Sequence, residues 1–147
     1  MLLQLKQLQA LLEHETDLWA NLANFSAFIF QEMPTLNWVG FYRLVGDELV
    51  LGPFQGKIAC TRLKHGKGVC WAACEKGKTI LIPDVHQFPG HIACDAASQS
   101  EIVVPVFVRN KLWGVLDVDA PVKNRFTQTD KNFLENAVEI LVKSSQF

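Results

Sequence analysis

Four cysteines, Cys60, Cys70, Cys74 and Cys94, have the widest chemical range of any residues in this sequence. A thiolate is a nucleophile and a metal ligand, and two thiols form a disulfide. The cysteines therefore pose a choice between packing, metal binding and redox chemistry. Their order, C-x9-C-x3-C-x19-C, contains no C-x2-C pair. His65, His86 and His91 stand nearby, but neither a paired knuckle nor H-x3-5-H spacing accompanies a cysteine, so structural zinc is a weak reading. Cys70 and Cys74 share a face of a predicted helix, which packing explains as well as chemistry does. Cys94 is different. It lies in Pro89–Ser98, PGHIACDAAS, a loop opened by Pro-Gly. A loop thiol is placed for reaction, where a thiol inside a helix or strand is placed for packing. His91 is close enough in sequence to favour its thiolate, and Asp95 to oppose it.

Carboxylates form a second candidate group. In Leu112–Asp119, LWGVLDVD, strand alternation sets Trp113, Val115, Asp117 and Asp119 on one face. Two carboxylates on an apolar strand cost free energy unless something uses them, and crowded carboxylates do not all ionise. A retained proton makes a general acid, and an ionised neighbour makes a cation site. A solvated strand end with two surface aspartates is the alternative. Glu101 begins the partner strand. A turn at Asn110-Lys111 pairing Arg109 with Leu112 sets Ile102 opposite Asp119 and turns Glu101 away; a one-residue shift brings Glu101 to the carboxylate face. Trp38 and Tyr42 share a strand face, with Gly40 between them leaving room above the backbone. They wall a small-ligand pocket or belong to the core. Gly66-Lys67-Gly68 lacks the P-loop spacing, and no Ser-His-Asp elbow is visible.

The elements that must position these groups read as helix, hairpin, irregular middle, hairpin, helix. Leu8, Leu11, Leu18, Leu22, Phe25 and Ile29 recur at helical spacings, Glu13–Glu15 admits a break into two helices, and Pro34 ends the pattern. Trp38–Val45 and Glu48–Phe54 flank Gly46-Asp47 as a hairpin. A short helix is predicted at Val69–Glu75 and a short strand at Thr79–Ile82. Strands follow at Ile102–Arg109 and Leu112–Asp119. Thr127–Ser144 is amphipathic, with Phe133, Leu134, Ala137 and Leu141 on one face and Thr127 with Asp130 as its capped start. The expected class is α+β, an antiparallel sheet flanked by N- and C-terminal helices.

A chain of 147 residues without a linker is expected to be one domain, 1–147. At 49% hydrophobic and 20% charged it is composed to fold, and a formal net charge of −1 gives no electrostatic case for nucleic acid or an anionic membrane. No apolar run reaches the roughly 20 residues that span a bilayer. MLLQLKQLQALLEHE lacks the basic start, apolar core and cleavage site of a signal peptide. The expected compartment is the cytoplasm, where structural disulfides are uncommon.

Four stretches, GPFQGKIAC (Gly52–Cys60), HGKGVC (His65–Cys70), PDVHQFPGHIACDAASQSEIVVPV (Pro83–Val106) and GVLDVDAP (Gly114–Pro121), closely resemble the free methionine-R-sulfoxide reductases, single GAF domains of this size. NLANFSAFIF followed by NWVGFY fits their N-terminal half. The resemblance implies a GAF-like fold and reduction of free methionine-R-sulfoxide, an oxidative-stress activity, with thioredoxin as reductant and no cofactor. By position, it implies that Cys94 is the attacking cysteine and that Cys60 and Cys70 are its redox partners. It places Glu101, Asp117 and Asp119 as pocket carboxylates and Trp38 and Tyr42 as pocket aromatics, which favours the shifted register for Glu101. It also suggests a homodimer. Trp71 stands where the family usually has Gly, Cys74 is an extra thiol, and Ala120 replaces the usual Ser. A non-catalytic GAF sensor of a small ligand or of oxidation is the alternative function, and a zinc-stabilised domain a third.

Overall fold

Helix formation at the N-terminus is interrupted where the sequence admits it: α1 spans Leu2–Leu12 and α2 spans Leu18–Glu32. The Asp17 carboxylate accepts from the Ala20 amide and caps α2. The break changes the phase of the apolar stripe, so Leu8 and Leu12 are buried while Leu11 is exposed. The computed structural model describes residues 1–91 and 94–147; Ile92 and Ala93, inside the predicted Cys94 loop, lie outside the described residues.

The first hairpin joins β1 (Trp38–Val45) to β2 (Glu48–Gly56) through Gly46-Asp47, with Gly46 at φ 62°. A three-residue strand that the sequence reading did not contain, β3 (Arg62–Lys64), pairs with β2. Next come α3 (Gly68–Lys76), β4 (Ile80–Ile82), a 3-10 turn at Val85–Gln87, β5 (Ser100–Val108), β6 (Lys111–Ala120) and α4 (Gln128–Ser144). Thr127 and Asp130 form a reciprocal capping box at the start of α4, and Arg125 braces Asp130 at 3.1 Å. The strands form one antiparallel sheet in the order β3-β2-β1-β6-β5-β4.

One sheet face packs on α1, α2 and α4. Leu22, Phe25, Ile29, Phe133, Leu134 and Leu141 meet Val39, Phe41, Ile102, Leu116 and Val118 there. On the opposite face α3 and the long connections pack over Trp38, Tyr42, Val103 and Val115. This second layer is thinner, and the functional candidates lie in it.

The β5–β6 register departs from the expectation in two ways. The turn is Arg109-Asn110, at φ 51° and 63°, and not Asn110-Lys111; Val108 pairs with Lys111. Two successive residues at positive φ are what a tight hairpin turn matching strand twist requires. Continued from that turn, the register would set Glu101 opposite Val118 and away from Asp119. A β-bulge prevents this. Phe107 pairs with Leu112 but Val106 pairs with Gly114, so Trp113 is an extra residue in β6. The shift brings Glu101 opposite Asp119 and Val103 opposite Asp117.

The same bulge overturns the expected position of Trp113. Its indole lies on the helix-bearing side, edge-on to Phe41 and Phe147 at centroid distances of 6.3 and 5.2 Å, and does not share the face of Asp117 and Asp119. Gly114 makes the bulge fit. A Cβ there would collide with the Tyr42 carbonyl oxygen and lie 2.8 Å from Arg43 Cα, both backbone atoms that cannot swing aside. Gly114→Ala is therefore expected to destabilise the protein by about 3 kcal/mol. A fall in Tm of roughly 10 °C in thermal unfolding is the check.

Candidate active site

Three strands deliver side chains to the same face. Trp38, Gly40 and Tyr42 of β1 lie opposite Asp119, Asp117 and Val115 of β6, and Glu101 of β5 flanks Asp119 on the other side. From above, α3 contributes Cys70, and the segments around Ile58 and His91 complete the walls. Together they line a partly open cavity of about 50 Å³. Cys94 lines this cavity, and a disulfide joins it to Cys60 with the two Cα atoms 5.6 Å apart.

The carboxylates are not at a solvated strand end. Glu101, Asp117 and Asp119 are 5%, 7% and 9% exposed. Burial, reinforced by Asp117 and Asp119, pushes Glu101 well above the ordinary carboxylate range. Burial likewise raises Asp119, with Asp117 and Asp95 adding to it. Asp117 is raised by burial too, but hydrogen bonds with Glu101 and Cys70 oppose the shift. The trio thus differs by environment: burial and the neighbouring carboxylates favour a retained proton on Glu101 and Asp119, and at Asp117 hydrogen bonding works against the same effect of burial. Asp117 Oδ1 is buried without a hydrogen-bond partner.

Aromatic packing explains Gly40. The Trp38 indole stacks between Tyr42 and Phe54 at 5.9 and 5.2 Å, and its Nε1 donates to the Lys57 carbonyl. A Cβ on Gly40 would strike Phe54 Cβ and the Trp38 ring. The space predicted above Gly40 is therefore filled by Trp38 itself, and the cavity opens beside the ring. Trp38 and Tyr42 are at once core and lining. The Tyr42 hydroxyl donates to the Cys60 carbonyl at 2.8 Å, tying that cysteine's backbone to β1. Burial, with Asp117 next, drives the Tyr42 phenol far above its usual range, so it remains a neutral donor.

The thiols fall into distinct settings. Cys60 and Cys94 are joined to each other, whereas Cys70 is buried and pushed well up by desolvation and by Asp117. Cys74, one turn further along α3, is half-buried, and burial raises it to about 11. It is not among the residues lining the cavity. Trp71, the unusual neighbour of Cys70, donates to the Leu63 carbonyl and stacks on His65 at 4.3 Å, clamping α3 to β3.

His91 lines the same cavity as Cys94. Its Nε2 lies 3.8 Å from Glu101, and burial followed by His86 lowers its pKa, which favours a neutral ring. Asp95 is held ionised by the Ala97 amide and by Asn37. Asn37 was missed by the sequence reading. Its amide donates to Asp95 and Ser98 at 2.9 and 3.0 Å, anchoring the Cys94 loop to the start of β1. The only signal for it was its position in NWVGFY. Among the described residues, Cys70, Glu101 and Asp117 alone form a group with metal-ligand spacing; the histidines and remaining cysteines are not brought together in one.

Residues 7–142 match the GAF domain family model. The chain is 54% identical over 144 residues to Protein YtsP of Bacillus subtilis, covering 97% of this chain and 88% of that protein. It is 51% identical over 138 residues to the free methionine-R-sulfoxide reductase of Escherichia coli, covering 94% of this chain and 84% of that one. The solved structure of the free methionine-R-sulfoxide reductase from Neisseria meningitidis in complex with its substrate superimposes with a TM-score of 0.91. It is 46% identical, and the match covers 95% of this chain and 84% of that chain.

Proposed function

This chain belongs to the GAF domain family and, within it, to the free methionine-R-sulfoxide reductases, and from that premise we propose that it reduces free L-methionine (R)-S-oxide to L-methionine by thiol chemistry centred on Cys94. The observation that carries the reading is that Cys94, disulfide-bonded to Cys60, lines the same cavity as Glu101, Asp117 and Asp119.

The Cys94 thiolate attacks the sulfoxide sulfur, and Glu101 or Asp119 protonates the sulfoxide oxygen. The S–O bond breaks, the oxygen passes to Cys94 as sulfenic acid, and methionine leaves as the thioether. The Cys60 thiol then displaces water from the sulfenic acid to form the disulfide, and a thioredoxin dithiol returns both cysteines to thiols. Cys70 is the less favoured resolving thiol, because burial and Asp117 hold it protonated. The scheme uses no metal or organic cofactor.

Substrate selection follows from charge. Free methionine sulfoxide carries an ammonium group that an internal residue lacks, and Asp117, which lines the cavity with its Oδ1 unpartnered, is the carboxylate offered to it. Trp38 contacts the apolar methyl end, and Tyr42 holds Cys60 within reach of Cys94. The working unit is one GAF domain over 1–147, in the cytoplasm, with a homodimer as the expected assembly. No helix among the described residues is long and apolar enough to cross a membrane.

NADPH consumption with thioredoxin, its reductase and free methionine-R-sulfoxide tests the reading; a non-catalytic sensor consumes none. Cys60→Ser is expected to preserve the first, stoichiometric reduction while lowering thioredoxin-coupled cycling by at least about tenfold. Unchanged cycling would transfer the resolving role to Cys70.

A further inference from the structure

The reductase scheme accounts for two of the thiols and leaves Cys70 without a step that needs it. Its surroundings are unusual for an idle thiol. The sulfur of Cys70 and carboxylate oxygens of Glu101 and Asp117 lie within 4.8 Å of one another, all three residues being buried. Asp117 is 7% exposed, and its Oδ1 has no hydrogen-bond partner. Among the described residues, the one basic side chain within ion-pair distance of the carboxylates is His91, beside Glu101. One thiol and two carboxylates converging on an unpaired buried oxygen make a donor set of mixed softness, suited to a zinc-class dication that displaces the protons Cys70 and Glu101 otherwise retain. Zinc bonds of about 2.0 to 2.3 Å place tetrahedral donors under roughly 4 Å apart, so a rotation that draws the three together by about 1 Å closes the set.

We propose that Cys70, Glu101 and Asp117 form a binding site for a zinc-class divalent cation, distinct in its sulfur ligand from the redox pair. The fourth coordination position faces the cavity. An ion held there occupies two of the three carboxylates that the reductase reading assigns to the substrate and its proton, so it inhibits turnover; this consequence rests on that reading, while binding itself does not. The Cys60–Cys94 disulfide leaves the site intact, because Cys70 is not part of it.

That independence supplies the experiment. In the oxidised protein only Cys70 and Cys74 remain as thiols, so cobalt(II), a spectroscopic stand-in for zinc, reports on them alone. Titration of the oxidised protein is expected to give a sulfur-to-cobalt charge-transfer band saturating at one ion per chain. Zinc should displace the cobalt. The band should persist in Cys74→Ser and vanish in Cys70→Ser, and Asp117→Asn, nearly isosteric, should weaken binding by roughly tenfold or more. Circular dichroism establishes that each variant is folded. Absence of the band in the wild-type protein, its survival in folded Cys70→Ser, or undiminished binding by folded Asp117→Asn overturns the site. Zinc inhibition is read separately in the reductase assay, against a chelator-treated control. A protein that binds cobalt through Cys70 but reduces no methionine sulfoxide keeps the site and loses the functional reading. An active protein without the band does the reverse.

Discussion

Cys94→Ser is expected to abolish reduction of free methionine-R-sulfoxide, with a loss on the order of 10³-fold or more even in a single turnover. A serine hydroxyl at neutral pH is almost wholly protonated and does not attack a sulfoxide sulfur. No other thiol can substitute. Cys70 is buried, with its proton retained by burial and Asp117, Cys74 lies outside the cavity lining, and in the proposed scheme Cys60 is the partner that reacts second. The variant should still fold, since Cys94 is half-buried in a connecting loop and packs only against the edge of the second buried cluster. The measurement is methionine produced from a stoichiometric amount of reduced protein, with no reductant present. Stability provides an internal control. Reduced wild type and variant should melt together, whereas the oxidised wild type gains a cross-link across 34 residues of sequence, worth about 3 to 4 kcal/mol in the chain-entropy model. Retained single-turnover reduction in the serine variant would remove Cys94 from the attacking role.

Replacing a buried carboxylate should separate activity from stability. Glu101→Gln keeps the volume and removes the proton that the sulfoxide oxygen receives, so the reductive step is expected to slow by about 10²- to 10⁴-fold if Glu101 is the acid. Asp119→Asn makes the same test of the other candidate. The stability effect has the opposite sign. Glu101 is raised well above its ordinary value by burial and by the two aspartates, so above about pH 4 the unfolded chain releases a proton that the folded one keeps. The unfolded state then binds fewer protons, and wild-type stability falls as pH rises through that window toward the raised folded value. Above the folded value the fall is complete. Glu101→Gln does not titrate and escapes its share of the loss, so the variant should be the more stable protein at pH 8, with a smaller difference at pH 5. Urea unfolding at the two pH values checks this; an equal difference at both would show that Glu101 is not desolvated. The wild-type reductive rate should also decline with rising pH as the acid loses its proton.

Much of this protein was determined by local pattern. The helical spacing of Leu22, Phe25 and Ile29, the Thr127–Asp130 cap, the aromatic and β-branched run from Trp38 and the Gly46-Asp47 turn each encode an element in neighbouring residues, and the structure forms those elements at nearly those bounds. The likeness of the cysteine and carboxylate motifs to a known family was also readable in one dimension. What tertiary structure alone decided was which side chains share a space. Alternation along a strand is a parity rule, and one extra residue reverses it: the bulge at Trp113 turns that indole to the helix side and brings Glu101 to face Asp119. Burial is equally non-local. Asp117 and Asp119 look alike in the sequence, and their different proton affinities arise from Glu101, Cys70 and Asp95, contributed by other elements. The pairing of Cys60 with Cys94 and the convergence of Cys70 on two carboxylates come from packing α3 and two long loops over one sheet face, because proximity across that face depends on the whole chain's path.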